Sequence, residues 1–93
     1  MKVRWTGQAE LDRLAIASFI AKDDVQAAVR MDARFGRVAT QLAAVPHMGR
    51  RGSIVGTREA IPHPHYRIVY EILDAEIWIL TIIHTSRLWP PKP

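Results

Sequence analysis

Residues 66–89 read YRIVYEILDAEIWILTIIHTSRLW, two arms dense in β-branched and aromatic residues around the polar break Asp74-Ala75. That composition predicts an antiparallel hairpin rather than a helix. A loop of two residues, or of four, fixes the pairing so that Glu71 faces Trp78, Val69 faces Leu80, Arg67 faces Ile82 and His65 faces His84. Arg67 and His84 then share one face of the sheet. Side chains alternate along a strand, so Tyr66, Ile68, Tyr70, Ile72, Ile77, Ile79 and Ile83 project from the other face, which is the better core face. A three-residue loop would spoil this register, and with it the placement of an arginine beside a histidine.

Immediately upstream, residues 46–65 (PHMGRRGSIVGTREAIPHPH) are the least regular part of the chain. Ser53–Val55 and Thr57–Ile61 are expected to form a strand interrupted at Gly56, closed by Pro62 and Pro64. Further back, Lys2 to Trp5 alternates as a first strand does. Thr6 is placed to cap a helix whose spacing is carried by Leu11, Leu14, Ala15, Ser18, Phe19 and Lys22. Asp23 is expected to cap a second helix, with Gln26 at the return position and Asp24 near the positive end of the dipole. Its stripe is Val25, Ala28, Val29, Asp32, Phe35, Ala39 and Leu42, with Val38 at the margin and Asp32 the one polar intrusion. Phe35 and Met31 at helical spacing read as core, not as ligand contacts. The helix ends before Pro46. The predicted order is strand, two helices, three antiparallel strands, with the helices packed on one face, an α+β sandwich.

Ninety-three residues suit a single domain spanning 1–93, which removes about 60–65% of the unfolded chain's surface from water. There is no cysteine, which excludes disulfides and thiolate chemistry and fits a reducing compartment. The longest apolar run, Ile77 to Ile83, is too short to span a bilayer, and no signal-peptide pattern opens the chain, so a cytoplasmic protein is expected. The net charge is +4 and ten of the thirteen basic residues are arginine, suited to bidentate contacts with carboxylate or phosphate. Residues 47–70 hold Arg50, Arg51, Arg58 and Arg67 against Glu59 alone. Such a patch fits nucleic acid or an acidic protein partner, and equally a solvated surface that evens out on folding.

His63, His65 and His84 invite a metal reading, but no HExxH motif, cysteine or tighter ligand spacing supports one, so no metal and no cofactor is expected. There is no glycine-rich nucleotide loop and no nucleophile elbow. What remains is Arg50, Arg51, Arg58, Arg67, His84 and Arg87. Clustered arginines repel unless they meet an anion, and a histidine beside them has the pKa of a general acid for phosphodiester cleavage. The alternative stands level with it: Arg58 and Arg67 are neutralised by Glu59, Glu71 or Asp74, and His84 is a satisfied edge residue.

The tail His84-Thr85-Ser86-Arg87-Leu88-Trp89-Pro90, after an isoleucine-rich strand, resembles the C-terminal signature of the RelE/ParE superfamily of toxins from type II toxin–antitoxin modules. The opening KVRWT strand, the two-helix hairpin, Pro46-x-x-Gly49-Arg50, Gly56-Thr57-Arg58-Glu59 and Tyr66-Arg67-Ile68-Val69-Tyr70 follow that family's pattern in its order. The resemblance implies a β-α-α-β-β-β toxin domain, neutralised by a cognate antitoxin that also carries the DNA-binding domain, so that operator DNA is met only through the antitoxin.

Two activities share this fold, and fold alone does not choose between them. Proteins similar to RelE and YoeB cut mRNA on the ribosome. In that case Arg67 matches a phosphate-binding arginine, Arg58 a second basic position, and His84 lies near the catalytic acid. Proteins similar to ParE poison DNA gyrase without being enzymes. No Glu lies in residues 46–56 to serve as general base, no Tyr follows His84, and lysine occurs only at 2, 22 and 92. The His-x-x-Arg-x-Trp-Pro tail is of the ParE-like form, which implies a gyrase-directed toxin of the plasmid-stabilisation kind. Arg50, Arg51, Arg58, Arg67, Arg87 and Trp89 are then the anion- or target-binding set. An inactive member that only binds antitoxin is the third alternative.

Overall fold

The computed structural model describes residues 1–92. The chain runs through β1 (Lys2–Trp5), α1 (Gly7–Ala21), α2 (Val25–Ala44), β2 (Arg50–Arg51), β3 (Arg58–His63), β4 (Tyr66–Leu73) and β5 (Glu76–His84). One sheet holds the strands in the order β1-β5-β4-β3-β2, with β1 parallel to β5 and the other pairs antiparallel. This is the expected α+β architecture with one short strand more. Arg50–Arg51 pairs with β3, whereas Ser53–Val55, expected as strand, lies in a turn. Gly56 takes φ 86° there, open to glycine and costly for other residues. Both the amide and the hydroxyl of Thr57 donate to the Ile54 carbonyl, which closes the turn. Pro62 lies inside β3, just where its pairing with β4 becomes irregular and no ladder N–H is required.

Thr6 caps α1, accepting from the Ala9 amide at 3.1 Å. The cap of α2 falls one residue later than expected: Asp24, not Asp23, accepts from Ala27 N–H at 3.0 Å. Asp23 is still part of the end of α1, its amide donating to the Ile20 carbonyl. The expected stripe of α1 is also on the wrong side. Leu11, Leu14 and Phe19 face solvent, while Ala9 is fully buried and Ile16 packs against the core. Polar contacts decide the rotation: Asp12 reaches β5, and Arg13 donates to Asp32 of α2 while stacking over Trp5. On α2, Phe35, Val38, Ala39 and Leu42 are core as expected, but Val25 and Val29 are exposed. Phe35 meets Tyr66 edge to face at 5.7 Å. Fully burying side chains such as Phe35 and Leu42 contributes roughly 1.5–3 kcal/mol each.

The hairpin turns on Asp74 and Ala75, both at positive φ (51° and 59°), the two-residue loop that matches strand twist. From Leu73↔Glu76 to Tyr70↔Ile79 the register is the expected one. Beyond it a bulge at Leu80 shifts the pairing by one, to Val69↔Thr81, Arg67↔Ile83 and Tyr66↔His84. A one-residue slip exchanges faces. Ile82 rather than Ile83 therefore joins the core, and His84 lies beside Tyr66 on the helix side, while Arg67 is on the far side. The expectation that Arg67 and His84 share a face is overturned. The Thr6 hydroxyl donates to the Leu80 carbonyl at 2.8 Å, and the Asp12 carboxylate accepts from the Thr81 hydroxyl and from Ile82 N–H at 3.0 Å, which fixes the bulge.

Candidate functional site

The bulge divides the arginine and histidine constellation into two groups. On the far face, β2, β3 and β4 bring Arg50, Glu59 and Arg67 together. Glu59 is 2% exposed, and its carboxylate accepts from Arg50 Nη2, Arg67 Nη1 and the Ser53 amide, each at 3.2 Å. Burial pushes its pKa up, but the Ser53 N–H and the two guanidinium groups outweigh burial and hold it below the ordinary value. Arg67 is thus neutralised internally, as the alternative reading of the sequence had it. Arg58 lies on the Tyr70 side and donates to the carbonyl oxygens of Gly49 (2.7 Å) and His47 (3.4 Å).

The turn that delivers Arg50 is tied to the hairpin by Tyr70. Its hydroxyl accepts from Gly49 N–H at 3.0 Å and donates to the Pro46 carbonyl at 2.7 Å. Burial raises the Tyr70 pKa against the opposing pull of that amide and of Arg58. A Cβ at Gly49 would lie 2.6 Å from the hydroxyl oxygen and 2.9 Å from the Glu59 carbonyl, so this turn admits only glycine without rearrangement. Pro46, Gly49 and Tyr70 are therefore the frame on which the far-face arginines are hung.

The second group sits at the rim. His84 engages Ser86 through Nδ1, with the amide at 3.0 Å and the hydroxyl at 2.6 Å. Its ring lies 5.3 Å from Tyr66 and 5.6 Å from His65, which in turn is 5.1 Å from His63. His63 accepts the His65 amide on Nδ1, and burial, with the charges of His65 and Arg34, holds its pKa below the usual histidine value. Among the described residues no group of three His, Asp or Glu side chains is arranged to hold a metal ion. Ile16, Phe19, Tyr66, His84, Ser86 and Arg87 line a groove of about 420 Å³ beside α1. Arg51 and Arg87 are exposed, and Trp89 is half-buried, its indole nitrogen enclosed without a hydrogen-bond partner among the described residues.

Chemically, the far-face group has its anion already, and the rim joins an imidazole and a guanidinium over an apolar floor. Two surface features were missed from sequence. One is the outward apolar side of the helices, Leu11, Leu14, Phe19, Val25 and Val29. The other is a row of arginines on α2, Arg30, Arg34 and Arg37, whose spacing of four and three residues was the available signal.

Residues 3–89 match the family described as ParE toxin of type II toxin-antitoxin system, parDE. The protein Y4kP of Sinorhizobium fredii is 39% identical over 90 residues, covering 96% of this chain and 93% of that protein. Toxin RelE2 of Caulobacter vibrioides is 36% identical over 87 residues, covering 94% and 98%. A chain from the chromosomal ParDE toxin–antitoxin system of P. aeruginosa superposes with a TM-score of 0.78 at 22% identity, over 90% of this chain and 95% of that one. No helix among the described residues is long and apolar enough to cross a membrane.

Proposed function

The chain belongs to the ParE toxin family of type II toxin–antitoxin systems, and from that premise we propose that it halts growth as a ParE-like poison of DNA gyrase, by binding and not by catalysis. The observation that carries this reading is the separation of Arg67 from His84. An endonuclease of the RelE kind needs a phosphate-holding cation and a proton-transfer group around one scissile bond. Here Arg67 is committed to Glu59 on one face, and His84 is held by Ser86 on the other. The exposed members of the target-contacting set are Arg51 and Arg87, with the half-buried Trp89 following Arg87 in the tail and Arg50 contributing its free edge. Arg58 serves the fold.

A cognate antitoxin is the expected second partner. Leu11, Leu14, Phe19, Val25 and Val29 leave large apolar side chains in solvent on both helices, which supports coverage by another chain. The antitoxin's C-terminal segment would fold on binding and cover this apolar surface. The ribosome-dependent endonuclease remains the second reading, favoured by the His84–Arg87 groove and by the likeness to a toxin named RelE2.

Induced expression of the chain alone, with the SOS response, DNA cleavage complexes and mRNA integrity followed together, tests the choice. SOS induction with intact mRNA supports gyrase. Cuts in mRNA without SOS support the endonuclease, and healthy growth supports a module that only binds antitoxin. Arg67→Ala and His84→Ala, checked for equal cellular abundance, are expected to leave gyrase-directed toxicity largely intact. Where the parent cuts mRNA without SOS induction, loss of that cutting in both soluble variants would assign them catalytic roles.

A further inference from the structure

The outer side of α2 also carries a row of cations. Arg30, Arg34, Arg37 and Gln41 are all exposed and follow one another at helical spacing along a single ridge. At 1.5 Å per residue the ridge is about 16 Å long, with steps of about 6, 4.5 and 6 Å. The three arginines and His63 line a groove of about 530 Å³, and Arg34, Arg37, Gln41 and Pro62 line an adjoining one of about 300 Å³. None of the three arginines forms an ion pair among the described residues. Arg34 donates to the Pro62 carbonyl at 3.3 Å, which orients the guanidinium and leaves its charge unneutralised. Asp32, the acidic residue within the same helix, is taken by Arg13 on the side of α1.

We propose that this α2 ridge is a binding site for the phosphate backbone of a nucleic acid, engaged by the toxin chain directly. Three unpaired guanidinium groups in a row, with an amide at the end, form a line of forked donors suited to phosphate oxygens. A strand repeating its charge every ~3.4 Å of axis offers several phosphates within that length. An acidic protein would share the charge chemistry, but stable protein interfaces have an apolar centre. Here the larger gathering of exposed apolar side chains lies elsewhere, on the outer side of α1 and between the helices, while Val29 and Met31 line the ridge's groove and Ile61 the adjoining one. The site is distinct from the far-face arginines, whose anion is Glu59, and it does not depend on which cellular target the toxin poisons.

Fluorescence anisotropy of the purified full chain with short labelled duplex DNA, single-stranded DNA and RNA, between about 50 and about 200 mM salt, tests the proposal. Three phosphate contacts give a slope of log K against log salt of about −2.7 on duplex DNA and about −2 on single strands. Arg30→Gln, Arg34→Gln and Arg37→Gln together are expected to abolish that slope. Lys2→Gln, Lys22→Gln and Lys92→Gln together remove the same net charge and are expected to leave it. A variant with the three arginines changed to lysine keeps the slope with weaker binding. The arm bound most tightly identifies the nucleic acid. Equal loss in the arginine-to-glutamine and lysine-to-glutamine triples, no binding at the lowest salt, or equal affinity for a polyglutamate peptide would overturn the assignment.

Discussion

Two groups of arginines sit on opposite sides of this small protein and differ in where their anion comes from. Arg50 and Arg67 on the far face of the sheet share Glu59, a carboxylate 2% exposed, whereas Arg30, Arg34 and Arg37 on α2 have no carboxylate partner among the described residues. Residue type alone would rank them alike. The difference teaches that an arginine near other arginines is not by itself a ligand site; the neighbouring acid decides. On the sheet the acid is one strand away, and the charge is spent on holding β2, β3 and β4 together. On α2 the charge is free to meet something outside the chain.

The strongest way to break this contrast is to remove the buried acid. Glu59→Ala leaves Arg50 and Arg67 facing one another without a counter-ion and frees the Ser53 amide. Breaking a buried pair by deleting one partner costs about 3–5 kcal/mol, and the part-exposed Arg50 side chain places the expected loss near ~3 kcal/mol. Urea unfolding measures it; a loss below about 1 kcal/mol would mean that the pair is no more than a surface ion pair. The same carboxylate sets an acid limit. Its folded pKa is depressed, so its contribution is fully present above the unfolded carboxylate value near ~4.3 and is lost as pH falls through the folded value. Thermal melts from neutral pH downward should fall in that window, and Glu59→Gln should flatten this part of the profile.

How Arg67 and His84 came to lie on opposite faces explains how much the sequence disclosed. Ser53–Val55 forms a turn and Arg50–Arg51 an unexpected short strand, whereas the first strand, the last hairpin with its Asp74-Ala75 turn and the helical hairpin follow from periodicity and turn chemistry and emerged as read. The bulge at Leu80 did not, because nothing in the run ILTII marks one residue as extra. Its cause lies 70 residues away in Asp12, which accepts from Ile82 N–H, and in Thr6, which donates to the Leu80 carbonyl. The same Asp12, with Arg13, turns α1 so that its expected stripe faces solvent. Long-range polar contacts of this kind have no local signature, and here they decide which face carries His84. Asp12→Ala leaves the Ile82 amide and Thr81 hydroxyl without their acceptor and is expected to cost about 1–3 kcal/mol. Hydrogen exchange at Ile82 should accelerate beyond the global change; unchanged protection would place the cause of the bulge elsewhere.

The smallest stability effect belongs to the α2 ridge, and its smallness is the point. Among the described residues Arg30, Arg34 and Arg37 touch no carboxylate, and their one hydrogen bond to the body of the protein is the Arg34 contact with the Pro62 carbonyl. Replacing all three by glutamine removes like charges spaced four and three residues apart, a repulsion worth a few tenths of a kcal/mol, and glutamine is a comparable helix former. The triple variant is therefore expected to unfold within about 0.5 kcal/mol of the parent, slightly on the stable side. Exposed charges are screened by salt, so the gain should shrink as ionic strength rises. A clear destabilisation would mean that the ridge is held by the fold as Arg67 is, and the contrast between the two groups of arginines would collapse.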